Sequence, residues 1–236
     1  MSTPTKTPRI AILQTGRAPE QLRAAHTDYD AMCKALVGKG PHEADTFAIL
    51  DGQFPESIDG YDAIIITGSA HGVYEPHPWI PPLMDLIRKA YADGQKMVGI
   101  CFGHQIIAQA LGGVVEKSSK GLGTGVQDYE YRSPDGPWAP ISLCAWHQDQ
   151  IVKLPEGADV IARSPFCEYA GLQYGDQILT FQAHPEFSKD YVEALIKLRR
   201  GTTLGTEIAD NALTSLAKPI VAPLIADDIR RFITAN

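Results

Sequence analysis

The chain lacks paired cysteines, basic clusters and long apolar runs, and each absence removes a class of protein. Its four cysteines, Cys33, Cys101, Cys144 and Cys167, lie far apart with no CxxC pair. That spacing speaks against a zinc knuckle or a disulfide framework and fits a reducing, cytoplasmic setting. Positive charge is scarce, with 21 Lys and Arg against 28 Asp and Glu, for a net charge of -7. The basic runs at Lys117 to Lys120 and at Arg199-Arg200 are too short to make a basic face, so neither nucleic acid nor an anionic membrane is expected as a partner. No apolar run approaches the length of a bilayer span, and Met1 to Pro8 lacks the apolar core of a signal peptide. Residues 1–8 read as a disordered tail, and the chain shows no repeats, low-complexity tracts or linkers.

What remains is a single domain over residues 9–236, with 44% hydrophobic residues to build its core. Strands are expected at Arg9 to Thr15, Ala44 to Leu50, Ala63 to Thr67 and Lys96 to Ile100. They alternate with helices at Pro19 to Val37, Ile80 to Tyr91 and Ile106 to Leu111. This rhythm predicts an α/β fold of three layers, with a mostly parallel central sheet and flanking helices. After Gly113 short β-type pieces follow, from Val114 to Lys117 through Ile178 to Gln182, with punctuation such as Pro134-Asp135-Gly136-Pro137. They predict a mixed β extension of the same sheet, with hairpins. The segment from about 188 to 236 is expected to form two or three helices broken near Gly201 and Pro219.

The sharpest local signal is Gly99-Ile100-Cys101-Phe102-Gly103-His104-Gln105, a cysteine between two glycines where a strand turns into a helix. That is the layout of a nucleophile elbow: the flanking glycines remove Cβ atoms that would clash, and the helix dipole favours thiolate. A lone cysteine at a strand end is more often a small core hydrophobe, so the elbow needs a base elsewhere. Phe181-Gln182-Ala183-His184-Pro185-Glu186-Phe187 offers one. A histidine's unperturbed pKa lies near neutrality, and Glu186 is placed to fix the tautomer of His184. An α/β-hydrolase would run nucleophile, acid, histidine; here the order is Cys101, His184, Glu186.

With Ile66-Thr67-Gly68-Ser69 and Trp146-His147-Gln148-Asp149, these motifs resemble the class I, triad-type glutamine amidotransferases. The matching segments span most of the chain in the family's order. They are similar in particular to stand-alone proteins like the amidotransferase domain of GMP synthetase, a group that includes γ-glutamyl peptidases. The resemblance implies a flavodoxin-like core and a Cys101-His184-Glu186 triad that cleaves γ-glutamyl bonds through a thioester. It implies an oxyanion hole from the backbone of Phe102 and of the Gly68-Ser69 turn, and a substrate contact at Gln105. His147 and Gln148 would lie near the amino-acid end of the substrate, with a structural role for His147 equally open. Gln148 departs from the small residue frequent there in the family, which leaves the local fit to substrate open.

Three readings follow: an amidotransferase passing ammonia from glutamine to a separate synthetase, a self-sufficient γ-glutamyl hydrolase, or a non-enzymatic binding relative. The intact Cys-His-Glu set argues against the last. The chain shows no phosphate-binding loop, so a synthetase is expected to be another protein. The long C-terminal segment offers a lid, a docking face or a contact between copies in a homo-oligomer. His71 and His77 near Glu75 show neither helical two-histidine spacing nor an evident third ligand, so no metal is assigned, and no cofactor is expected. Gly121 to Gly125 has the wrong glycine spacing for dinucleotide binding and reads as a flexible loop. Cys33 and Cys144 read as core residues.

Overall fold

A strand that is apolar at every position, such as Ala63-Ile64-Ile65-Ile66, can be buried only if both of its faces are covered. The computed structural model, which describes residues 7–38, 43–133 and 136–235, meets that demand. In chain order its elements are β1 (Arg9–Gln14), α1 (Glu20–His26), α2 (Tyr29–Val37), β2 (Glu43–Ala48), β3 (Ala63–Ile66), α3 (Ile80–Ala92), β4 (Lys96–Ile100) and α4 (Phe102–Ala110). Then come β5 (Val114–Lys117), β6 (Gly123–Arg132), β7 (Trp138–His147), β8 (Asp149–Lys153), β9 (Asp159–Arg163), β10 (Gly171–Tyr174) and β11 (Ile178–Phe181). Three helices follow, α5 (Lys189–Arg199), α6 (Thr206–Ser215) and α7 (Ala222–Thr234). Residues 1–6 of the expected tail and Pro134-Asp135 lie outside the described residues, and the Pro8 carbonyl accepts the Glu43 N–H at 3.1 Å.

Among the described residues, nine strands form one sheet in the order β2-β1-β3-β4-β11-β10-β9-β6-β7. The first five are mutually parallel, and the rest pair antiparallel. Alternate residues of each central strand enter opposite cores. Ile10, Ile12, Ile65, Val98 and Leu179 pack with α2 and α7, whereas Leu13, Ile64, Ile66 and Met97 pack with α3 and α4. The result is the expected three-layer arrangement.

Local expectations are corrected in three places. The helix expected over Pro19 to Val37 is two helices, because Asp28 interrupts it. Its carboxylate accepts the N–H groups of Tyr29 at 2.9 Å and Ala18 at 2.7 Å, capping α2, while Thr27 adopts a φ of 64°. Val114 to Lys117 is a strand but does not join the main sheet; it pairs with β8 as a separate two-stranded ribbon. The Gly121 to Gly125 segment is not a free loop either. From Gly123 it opens β6, and Gly125, at φ 77°, presses against the α6 backbone at Ala212.

The far half of the sheet bends. Laid flat, four strand spacings, roughly 19 Å, would separate β11 from β7. Instead the Cys144 carbonyl of β7 accepts the N–H of His184, just beyond β11, at 2.8 Å. β6 meets β9 only at Glu130 and Tyr131, so the β6–β7 hairpin is free to curl back over the strand ends. The C-terminal helices brace it from outside: Ser215 of α6 accepts the Val126 N–H at 2.8 Å, and buried Asp228 of α7 accepts the Tyr131 hydroxyl at 2.7 Å.

The glycines around the elbow are set by crowding. A Cβ on Gly99 would lie 2.6 Å from the Gly103 carbonyl oxygen, and one on Gly103 would fall inside the van der Waals envelope of the Ile66 carbonyl. Both neighbours are backbone and cannot turn aside. Gly103→Ala is therefore expected to destabilise the fold by about 3 kcal/mol or more. In thermal melts this is a fall of roughly 6–12 °C, and an unchanged melting temperature would contradict the close approach of α4 to β3.

Candidate active site

Three neighbouring parallel strands end side by side, and each hands one loop to the same spot. Ile66 of β3 stands beside Gly99 of β4, and Ile100 of β4 stands beside Phe181 of β11. The residues that follow are Thr67-Gly68 after β3, Cys101 after β4 and Gln182 to Glu186 after β11. Chemistry gathers at such carboxyl ends because every loop emerges on one edge.

Cys101 is the N-cap of α4 with φ 53° and ψ -102°, a strained conformation for a residue with a side chain. It is held by the strand behind it, since its N–H donates to the Phe181 carbonyl at 2.8 Å. The thiol sits 3.7 Å from Gln182 Nε2 and 3.9 Å from the Trp146 carbonyl oxygen. Cys33, Cys144 and Cys167 are unpaired and enclosed in the core, and burial pushes the Cys144 and Cys167 thiols up to about 12 and Cys33 well above its ordinary value. Those three are inert as nucleophiles.

His184 Nδ1 lies 2.7 Å from Glu186 Oε1, and both side chains are nearly fully buried, at 4% and 2% exposed. Burial alone would lower the imidazole pKa. The negative charge of Glu186 and the adjoining Cys101 outweigh it and push His184 up to about 10, so the site favours a proton on the ring. Phe187 stacks flat on the imidazole, with centroids 4.0 Å apart and planes within 5°. The ring is thus fixed by its carboxylate, by the Phe187 face and by the His184–Cys144 backbone bond.

Gly68 closes the other side. A Cβ there would come within 3.1 Å of His184 Cε1 and 3.7 Å of Cys101 Cβ, so only glycine leaves the space open. Its carbonyl accepts from the Thr67 hydroxyl at 3.1 Å and the Thr15 hydroxyl at 3.3 Å. Because the peptide is planar and trans, fixing that oxygen aims the Ser69 N–H the opposite way. Phe102 is buried behind the elbow against Trp79, with ring centroids 5.5 Å apart.

Gln105 is buried one turn into α4, donating to the Asp149 carbonyl at 2.8 Å and to Gln182 Oε1 at 3.0 Å. Gln182 in turn points its amide N–H at the Cys101 sulfur. This Gln105–Gln182–Cys101 chain was not legible as a role for Gln182, although its position two residues before His184, just after the strand beside the elbow, is the signal that could have shown it. His147 is buried with its Nδ1 3.4 Å from the Asp149 carbonyl, and burial lowers its pKa to about 4, which keeps it neutral. Gln148 turns to the Ser118 carbonyl at 3.4 Å. His104, inside the elbow motif, is a strut: it bridges the Thr180 hydroxyl at 2.8 Å and the Tyr169 carbonyl at 2.9 Å.

Comparison with known proteins identifies the family and the fold. The family model for glutamine amidotransferase class-I matches residues 41–195, more than half of the chain. The chain is 31% identical to gamma-glutamyl peptidase 4 of Arabidopsis thaliana, covering 84% of each protein. It is 32% identical to a glutamine-hydrolyzing GMP synthase of Macrococcus caseolyticus, over 57% of this chain and 27% of that protein. Its fold is similar to the crystal structure of a glutamine amidotransferase from Thermotoga maritima, with a TM-score of 0.72 at 22% identity, covering 97% and 99% of the two chains. The chain is therefore an enzyme of the class-I glutamine amidotransferase family.

Proposed function

We propose that the protein hydrolyses the γ-amide of glutamine through a γ-glutamyl thioester on Cys101 and releases ammonia for a separate acceptor enzyme. The observation that carries this reading is the strained Cys101 at the head of α4, set beside a buried His184 that Glu186 holds at 2.7 Å. His184, on whose ring the site favours a proton, already holds the proton given up by the thiol when the sulfur attacks the amide carbon, and passes it to the nitrogen as the C–N bond breaks and ammonia leaves. It then draws a proton from water, whose oxygen attacks the thioester; the C–S bond breaks, glutamate departs and the thiol is restored. The developing oxyanion is met by the Phe102 N–H and by the Gly68-Ser69 turn, whose orientation the two threonines fix. Glu186 orients the imidazole, and Gln182 positions the sulfur.

Gln105, buried as it is, contributes through Gln182 and Asp149, while His147 and Gln148 shape the end of the site nearest the β7–β8 junction. Among the described residues no helix is long and apolar enough to cross a membrane, and four unpaired thiols suit the cytoplasm.

A second reading, a self-sufficient γ-glutamyl peptidase, is favoured by the relative from Arabidopsis thaliana. The two readings share the γ-glutamyl half of the substrate and differ in the leaving group. A panel of glutamine, γ-glutamyl dipeptides and γ-glutamyl amines, with ammonia and glutamate release measured separately, tests them. The first reading expects glutamine to yield both products in equal amounts with no faster substrate in the panel. A γ-glutamyl peptide turned over at least about 10-fold faster, a difference of 1.4 kcal/mol in barrier, would replace it with the second.

A further inference from the structure

The loop between β3 and α3 begins with Gly68 and Ser69 and then carries His71, Glu75 and His77. In the sequence the two histidines lack helical spacing, and nothing marks Glu75 as the third ligand of a metal. The fold does, because the loop turns the three side chains onto a single point. Glu75 Oε2 lies 3.2 Å from His71 Nδ1 and 2.8 Å from His77 Nε2, and the three ligand atoms lie within 4.8 Å of one another. The carboxylate is tethered as well, since its other oxygen accepts the Gly72 N–H at 3.0 Å. The rings are held too: His77 stacks on buried Trp79 with planes 15° apart, and His71 meets His77 edge-on with centroids 4.0 Å apart.

We propose that His71 Nδ1, Glu75 Oε2 and His77 Nε2 bind one divalent transition-metal ion, with zinc the best match. Two imidazoles and one carboxylate form a donor set suited to zinc, and a poor one for magnesium or calcium, which take all-oxygen shells. The side chains are 33–38% exposed, which leaves a coordination position open to water. Binding needs the lone pairs of both named nitrogens, so any protons there move to the other ring nitrogens or to solvent. The His71 backbone N–H donates to the Ser69 hydroxyl at 3.2 Å, and Trp79 packs on Phe102. An ion here braces the loop between the Gly68-Ser69 turn and α3. The site does not depend on which γ-glutamyl compound is the substrate, nor on the proposed reaction.

The test uses the full chain with Cys101→Ala, which removes the active-site thiol as a competing ligand. Cobalt(II) is titrated as a spectroscopic probe and then displaced by zinc. The expected result is one cobalt per chain with a nitrogen–oxygen ligand-field spectrum, displaced by one zinc, and an affinity at least about 10-fold weaker in His71→Gln and in His77→Gln. Glu75→Gln, which keeps the side-chain oxygen that accepts from Gly72, is expected to weaken binding while circular dichroism shows the fold retained. No cobalt spectrum at millimolar free ion overturns the proposal. So does an affinity that none of these three substitutions changes.

Discussion

A Cys101→Ala variant is expected to lose about 10⁶-fold in kcat for γ-glutamyl hydrolysis and to keep its melting temperature within a few degrees of the parent. The two halves of this expectation have separate causes. The sulfur is the only group in the elbow that can form the thioester, and water delivered by His184 alone lacks the effective concentration of a positioned nucleophile. The fold loses little, because alanine keeps the Cβ and with it the same positive-φ backbone, already held by the Phe181 carbonyl. What disappears is two long contacts from sulfur, to Gln182 at 3.7 Å and Trp146 at 3.9 Å, together with the sulfur's influence on His184. Glutamate release measured beside a thermal melt checks both halves. Turnover within about 10-fold of the parent, a barrier change of under 1.4 kcal/mol, would remove Cys101 from the mechanism.

Glu186→Gln is expected to cost about 10⁴-fold in kcat. The substitution preserves shape but removes the charge that raises His184. With burial then opposed only by the influence of Cys101, the imidazole pKa must fall from about 10. The amide can also present its NH₂ to Nδ1, which turns the imidazole to the wrong tautomer for taking the thiol proton at Nε2. A histidine NMR titration separates this account from simple destabilisation: a positioning role moves the His184 pKa downward, whereas a purely structural defect lowers the melting temperature and leaves the titration in place. Because the folded-state pKa is raised above the ordinary 6.5, the stability from the protonated pair is complete below pH 6.5 and fades as pH rises through about 10. The variant should lose that dependence. Full activity with an unshifted His184 would sink the assignment.

The parts of this molecule legible in its sequence are those written in local spacing. The apolar run at Ala63 to Ile66 announced a strand covered on both faces, and Gly99 and Gly103 announced a crowded elbow, because each of these depends on residues close in the chain. Asp28 was also local evidence, a helix N-cap; the apolar pattern continuing on both sides of it concealed the break. Other features depend on partners far away. β8 is half exposed and finds its pairing with β5 only after the chain has folded. Phe187 reads as an ordinary aromatic until the turn after His184 lays it on the imidazole. Gln182 acquires a role only because β11 and β4 are neighbours, and the convergence of His71, Glu75 and His77 needs the path of a loop that no periodicity describes.

The hydrogen bond from His184 N–H to the Cys144 carbonyl makes the amide of the proposed general base a gauge of the hairpin that curls over it. That amide can exchange its hydrogen with solvent only when β7 lifts away. Its protection in deuterium exchange therefore measures the free energy of keeping the curl closed, separately from global unfolding. If Lys218 or Asp228, which tie the C-terminal helices to the hairpin, were altered, this one amide would register the loosening before any change in overall secondary structure.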